Sequence, residues 1–203
     1  MVVNRKKFFI SVIIFILLFF GVKYSYGQEE IGYENKEIYY TREYGIFTGW
    51  ADGSLKEQED YQMIPIYLQF GFDAKPIFSK INIKPQGSIN FIVEPFLNTV
   101  ISPSSNIETG CDFILKYRHP LTNKLQFYIE GGLGLMWSSQ HTYEQGTQFN
   151  FTEQAGVGFS YFFSRSKSLN IGYRYRHFSN AGIEEPNAGV DMDYFLCGIS
   201  IYH

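Results

Sequence analysis

The stretch Arg176-His177-Phe178-Ser179-Asn180-Ala181-Gly182 places an imidazole and a hydroxyl two residues apart. A carboxylate, Asp191, follows after Pro186-Asn187-Ala188-Gly189-Val190. Serine is a weak nucleophile until a neighbouring base takes its proton, and imidazole does so near neutral pH. A carboxylate on the far ring nitrogen holds the tautomer and stabilises the imidazolium. His177, Ser179 and Asp191 therefore have the types needed for a hydrolytic serine–histidine–acid site. Residues i and i+2 of a strand share a face, so His177 and Ser179 stand side by side if this stretch is extended. Asn180, Ala181 and Gly182 come directly after the serine, where backbone N–H groups can turn toward a developing oxyanion. Asn187 either supports that loop or donates a side-chain hydrogen bond. A lone His-x-Ser describes an interfacial histidine beside a strand-end serine equally well, so the weight rests on the third group. Asp193 has the same parity as Asp191 but lies deeper and ranks second. His119, His141 and His203 receive no role.

The elements that must hold these residues show period-two alternation. Strands are expected near 44–51, 62–72, 88–99, 106–117, 125–138, 148–163, 168–179 and 190–202. In 125–138, Leu125, Phe127, Ile129, Leu133, Leu135 and Trp137 share one face, and Gln126, Tyr128, Glu130, Gly132, Gly134 and Ser138 the other. One apolar and one more polar face, repeated about eight times in crossing-length segments, is the pattern of a small outer-membrane barrel. The fold class expected is all-β, an eight-stranded antiparallel transmembrane β-barrel. A soluble lipocalin-type barrel would reverse the two faces. The membrane version is favoured because the polar face is crowded with Gly132, Gly134, Gly156, Gly158, Gly172 and Gly198, as a narrow interior requires. That face also carries Glu94, Glu108, Asp112, Lys116, Glu130, Arg174 and Arg176, which suit an internal ion-pair network. Glu153 falls on the apolar face of the sixth strand and suggests a bulge or an interfacial position. The first strand is the weakest of the eight, and the connection 73–87 is long for a periplasmic turn.

With both termini on the periplasmic side, the seventh strand rises and His177 and Ser179 sit at its outer end. They share parity with Leu169, Ile171, Tyr173 and Tyr175. Asp191 shares parity with Phe195, Cys197, Ile199 and Ile201. All three then project toward lipid near the outer-leaflet boundary. Polar groups there are costly and ask for a reason.

The N-terminus sets the compartment. Arg5, Lys6 and Lys7 precede an apolar run from Phe8 to Val22, and Ser25-Tyr26-Gly27 closes it with small residues at −3 and −1. This is the order of a secretory signal peptide, expected to span 1–27 and to leave the barrel at 28–203. Losing four basic residues and no acid takes the formal charge from −3 to about −7. An acidic chain without a basic patch argues against a nucleic-acid partner. Cys111 and Cys197 fall on non-adjacent strands facing lipid, so two free thiols are expected. No Cys/His spacing suits a metal, and no cofactor is implied.

His177-Phe178-Ser179-Asn180-Ala181-Gly182, then Pro186-Asn187-Ala188-Gly189 and the acid at Asp191, resembles the C-terminal motif of the PagL-type lipid A 3-O-deacylases. The signal peptide and strand count extend a looser resemblance over the whole chain. The resemblance implies an outer-membrane barrel whose site faces the outer leaflet and hydrolyses the ester-linked acyl chain at position 3 of lipid A without a metal. It makes His177 the base, Ser179 the nucleophile and Asp191 the orienting acid, an aspartate where the best-known members carry glutamate. Asn180 looks like the family's asparagine linked to the oxyanion region; Asn187 is a weaker match. The competing readings are a non-enzymatic barrel serving adhesion or envelope integrity, and an outer-membrane phospholipase. Acyl-chain preference and oligomeric state are not legible.

Overall fold

A computed structural model describes residues 41–55, 59–83 and 85–203. The expected signal peptide at 1–27 lies outside them. The strands are β1 (Arg42–Leu55), β2 (Glu59–Asp73), β3 (Ser88–Ser102), β4 (Asn106–Pro120), β5 (Leu125–Ser138), β6 (Phe149–Ser164), β7 (Lys167–Ser179) and β8 (Val190–Tyr202). A short helix, α1 (Lys75–Lys80), stands between β2 and β3. Every neighbouring pair is antiparallel, and β1 pairs with β8 to close the barrel. Each strand exceeds the ~10 residues needed to cross a hydrocarbon core, so the cylinder extends beyond it.

Alternation sorts the side chains as the sequence pattern implies. Ile46, Leu68, Phe70, Leu133, Ile171 and Phe195 are exposed on the outside. An apolar exterior with paired charges inside identifies a transmembrane barrel rather than a soluble one.

The interior has two parts. Toward the end where β1 begins and β8 finishes it is ionic. Arg174 meets Glu94 at 2.5 Å and Glu130 at 2.8 Å, and Lys116 meets Glu130 at 3.0 Å. Arg176 meets Asp112 at 2.6 Å and Arg118 meets Glu43 at 2.5 Å. Each of these charges is buried, a position tolerable only with such partners. Toward the opposite end the interior is mostly apolar, with Leu55, Tyr61, Met63, Val100, Met136, Phe178 and Met192 in one cluster. Glycines make the dense filling possible. The Tyr128 ring and hydroxyl lie where a Cβ on Gly158 or Gly172 would have to be, at 2.4 and 2.2 Å.

Three details depart from the sequence expectation. β1 is longer than 44–51 and in register with both neighbours. Its inward positions are mostly small or apolar (Glu43, Gly45, Phe47, Gly49, Ala51, Gly53, Leu55), which blurs its polar face in sequence. β4 runs on through Arg118, so a residue expected in a turn instead points inward to Glu43. The long 73–87 connection is occupied partly by α1, with proline in its first turn.

Candidate active site

β7 and β8 hold the site through their register. His177 pairs with Asp191 directly across the ladder, and Phe178 pairs with Val190 just beyond. Opposed residues of antiparallel strands have Cβ atoms about 5 Å apart, close enough for an imidazole and a short carboxylate to meet. They do: His177 Nδ1 lies 2.6 Å from Asp191 Oδ1. The pair faces the outside of the barrel, with the His177 side chain 16% exposed and that of Asp191 53%. The carboxylate thus takes one ring nitrogen and leaves Nε2 for other work.

Ser179 stands two residues further along the same outer face, at the end of β7. Its Oγ makes no hydrogen bond to the ring among the described residues. Such contacts are often loose before substrate binds. Gly189, immediately before β8, explains how the ring finds room. A Cβ there would come within 2.4 Å of His177 Cε1 and 2.8 Å of Nε2, so the free edge of the imidazole lies against the glycine backbone. Gly189 also has φ +71°, a region that side chains disfavour. The sequence motif contained Gly189, but its contact with the ring was not legible there.

The loop 180–189 is organised by Asn180, which is fully buried. Its side-chain amide donates to the carbonyls of Glu184 at 2.6 Å and Pro186 at 3.3 Å. Its Oδ1 accepts the Gly182 N–H at 2.9 Å. Its own N–H is shared between Gln145 Oε1 and Asn187 Oδ1, each at 3.0 Å. The Asn180 and Gly182 N–H groups are therefore committed to the loop. Ala181 sits between them at φ 55° and is exposed. Asn187 is oriented by its oxygen, which is held on the Asn180 N–H and leaves both protons of Nδ2 facing away from that bond.

The β5–β6 connection braces this loop, an arrangement that no sequence spacing announced. The Gly146 N–H donates to Pro186 O at 2.6 Å and the Ala188 N–H to Glu144 O at 2.8 Å. Gln145 also bridges to Asn187. Asp193, the second-ranked acid, accepts a short hydrogen bond from the Tyr173 hydroxyl, while the histidine contact goes to Asp191. Among the described residues no cluster of His, Cys, Asp and Glu could hold a metal ion, and Cys111 and Cys197 are free thiols.

With that geometry in place, the family follows from the length of the match. A profile described as lipid A 3-O-deacylase (PagL) matches residues 20–200. The chain belongs to the PagL family. A lipid A deacylase PagL of Bordetella bronchiseptica is 43% identical over 70 residues, which is 33% of this chain and 37% of that protein. The alignment thus spans about a third of the relative. Among solved structures, the outer-membrane enzyme PagL superposes with a TM-score of 0.58 at 17% identity, covering 77% of this chain and 98% of the other. Neisserial surface protein A gives 0.62 at 15% identity, with 80% and 97% covered. At such identities the two structures speak to the fold, the eight-stranded outer-membrane barrel. The PagL family match extends through the His177–Asp191 pair.

Proposed function

We propose that this chain is an outer-membrane lipid A 3-O-deacylase, a serine esterase that removes the ester-linked 3-hydroxyacyl chain at position 3 of lipid A. The observation that carries the reading is the 2.6 Å contact between His177 and Asp191 on the lipid-facing side of the barrel, with Ser179 on the same face. Family membership supports the substrate. With the start of β1 and the end of β8 on the periplasmic side, the site stands at outer-leaflet height, where lipopolysaccharide lies.

The chemistry is acyl transfer to serine and then to water. Ser179 Oγ attacks the ester carbonyl while His177 Nε2 takes its proton. Asp191 steadies the imidazolium that results. Collapse of the tetrahedral intermediate breaks the bond to the sugar oxygen, which leaves as the free 3-hydroxyl with the proton returned from Nε2. Water, deprotonated by the same nitrogen, attacks the acyl-enzyme, and the 3-hydroxy acid departs. Asn187 is the better placed of the two asparagines to meet the oxyanion, because Asn180 spends its amide and N–H on the loop. Asn180, Ala181 and Gly182 support the turn that carries it.

Below the site, a groove of about 470 Å³ on the barrel exterior is lined by Phe127, Phe159, Ile171, Tyr173 and Phe195. It begins four residues down β7 from His177, roughly 13 Å along the strand, and offers an apolar surface to an acyl chain. The test is mass spectrometry of lipid A from cells expressing the wild-type chain or Ser179→Ala. Loss of one 3-hydroxyacyl group with wild type alone is expected. Unaltered lipid A in both, with the barrel folded in the outer membrane, refutes the proposal.

A further inference from the structure

His177 has a carboxylate on each side. β6 runs in unbroken register with β7 here and places Glu153 opposite His177, just as β8 places Asp191. The bulge anticipated at Glu153 is absent, since the irregularity in this ladder lies at Phe162/Ser164. Glu153, His177 and Asp191 therefore form one row across three strands on the lipid face.

The two acids are not equivalent. Asp191 holds Nδ1. The only other ring nitrogen is the one that serves Ser179, so a second carboxylate bound there would compete with the nucleophile. Glu153 itself is half-buried and has no hydrogen-bond or cationic partner among the described residues. Apart from His177 across the β7 ladder, its immediate outward neighbours are apolar: Phe151 two residues along β6, Ala155 on the other side, and Leu133 across the β5 ladder. An ionised carboxylate accepts hydrogen bonds and donates none. Placed among apolar side chains on a lipid face, it needs donors that acyl chains cannot give.

We infer that Glu153 is a specificity-determining residue that accepts hydrogen bonds from the sugar of the substrate, beside the ester that Ser179 attacks. This rests on the lipid A reading above and names what distinguishes that substrate at the site. On a glucosamine acylated at position 3, the two flanking positions carry an amide N–H and a hydroxyl, both donors. A diacyl glycerophospholipid offers no donor beside its esters. A buried polar group tuned to a donor rejects analogues lacking one much more strongly than an apolar pocket rejects small changes in size. The charge of the surroundings agrees. The connections 103–105, 139–148 and 180–189 contain no lysine or arginine, so a phosphate finds no cation there, whereas a hydroxyl or amide finds an acceptor.

The experiment compares wild type, Glu153→Leu and Glu153→Gln as folded barrels in detergent. Each is assayed on purified lipid A, on dimyristoylphosphatidylcholine and on the p-nitrophenyl ester of tetradecanoic acid. For Glu153→Leu, the ratio of kcat/KM on lipid A to that on the p-nitrophenyl ester is expected to fall about 10- to 100-fold, as for loss of a charged hydrogen bond. Glu153→Gln, which keeps one acceptor oxygen, should recover part of the ratio. The preference for lipid A over phosphatidylcholine should shrink in parallel. An unchanged ratio overturns the inference, and so does an equal loss on all three substrates, which would assign Glu153 to the histidine. Wild type that cleaves the p-nitrophenyl ester but not lipid A would instead refute the deacylase reading beneath it.

Discussion

Arg176 and His177 are consecutive residues of β7 that face opposite sides of one sheet, and their surroundings differ in kind. Arg176 points inward, fully buried, with its guanidinium on Asp112 at 2.6 Å and against the Phe96 ring at 4.3 Å. Its neighbour Arg174 is held by two glutamates. Outside, His177 meets one aspartate, and the glutamate on its other flank has no hydrogen-bond or cationic partner among the described residues. Inside the barrel, the four buried cations each meet a buried carboxylate, and Glu108 accepts from Tyr61 and Asn98 instead, as a structural network sealed from water requires. On the outside the polar groups stand where lipid should be, incompletely satisfied. A cost carried on the lipid face without a structural return points to chemistry.

The sharpest way to break this comparison is to exchange the effects of the two faces. His177→Ala should lower kcat on lipid A by about 10⁴-fold or more, as loss of a base in a concerted triad does. It should leave the urea unfolding midpoint of the barrel unchanged, because the ring is outside the packed interior. A large drop in stability would make His177 a structural residue and erase the distinction. Arg174→Ala tests the other face. Removing one partner of a buried ionic group costs about 3–5 kcal/mol; here it leaves Glu94 without a cation and Glu130 with Lys116 alone. Urea unfolding in lipid vesicles should show that loss, while the folded fraction keeps its specific activity. Equal stability would mean that water enters the barrel and satisfies the acids.

Asn187→Ala separates the two asparagines of the loop. If Asn187 Nδ2 serves the oxyanion, kcat should fall about 10²- to 10³-fold with little change in KM. Its Oδ1 also receives the Asn180 N–H, so Asn187→Asp is the informative partner variant. It keeps that acceptor, removes the donor and sets a carboxylate where the oxyanion would form, so its activity should fall at least as far. If Asn187→Asp were as active as wild type, the loop rather than the oxyanion would be the residue's business.

Much of this was legible before any coordinates, for a physical reason. A barrel wall one residue thick forces strict alternation, and alternation is readable in β2, β5 and β7 without knowledge of their partners. It fails where the inward face is apolar or minimal, as in β1, whose Gly45, Gly49 and Gly53 give no polarity to count. It also fails where a strand outlasts its hydrophobic crossing, as β4 does at Arg118. At the site, types and parity brought His177, Ser179 and Asp191 into one neighbourhood, because two of them lie on one strand and the third across one hairpin. Register across the β6–β7 ladder was beyond sequence, so Glu153 suggested a bulge or an interfacial position, and its place opposite the histidine was not legible. The bracing of Asn180 by Gln145 spans 35 residues and two connections, and no local pattern encodes it.

The mildest effect expected concerns the phosphates of lipid A, and its sign is informative. Phosphate recognition ordinarily uses arginine or lysine, in forked or point-charge contacts. The connections at the site's end of the barrel supply Glu184 and Glu185 but, across 103–105, 139–148 and 180–189, no basic residue. At the opposite end Arg42, Lys75, Lys80, Lys124, Arg165 and Lys167 all lie at or near the strand termini. An anionic headgroup approaching an acidic rim is repelled, and salt screens that repulsion over about 10 Å at 0.1 M. Lipid A stripped of one phosphate should therefore be cleaved within about 3-fold of the intact molecule, and if anything faster, and added salt should favour intact substrate. Time courses by mass spectrometry on the two substrates at two ionic strengths would read both effects. A fall of 10-fold or more on removing the phosphate would reverse the sign. It would assign recognition to a cation.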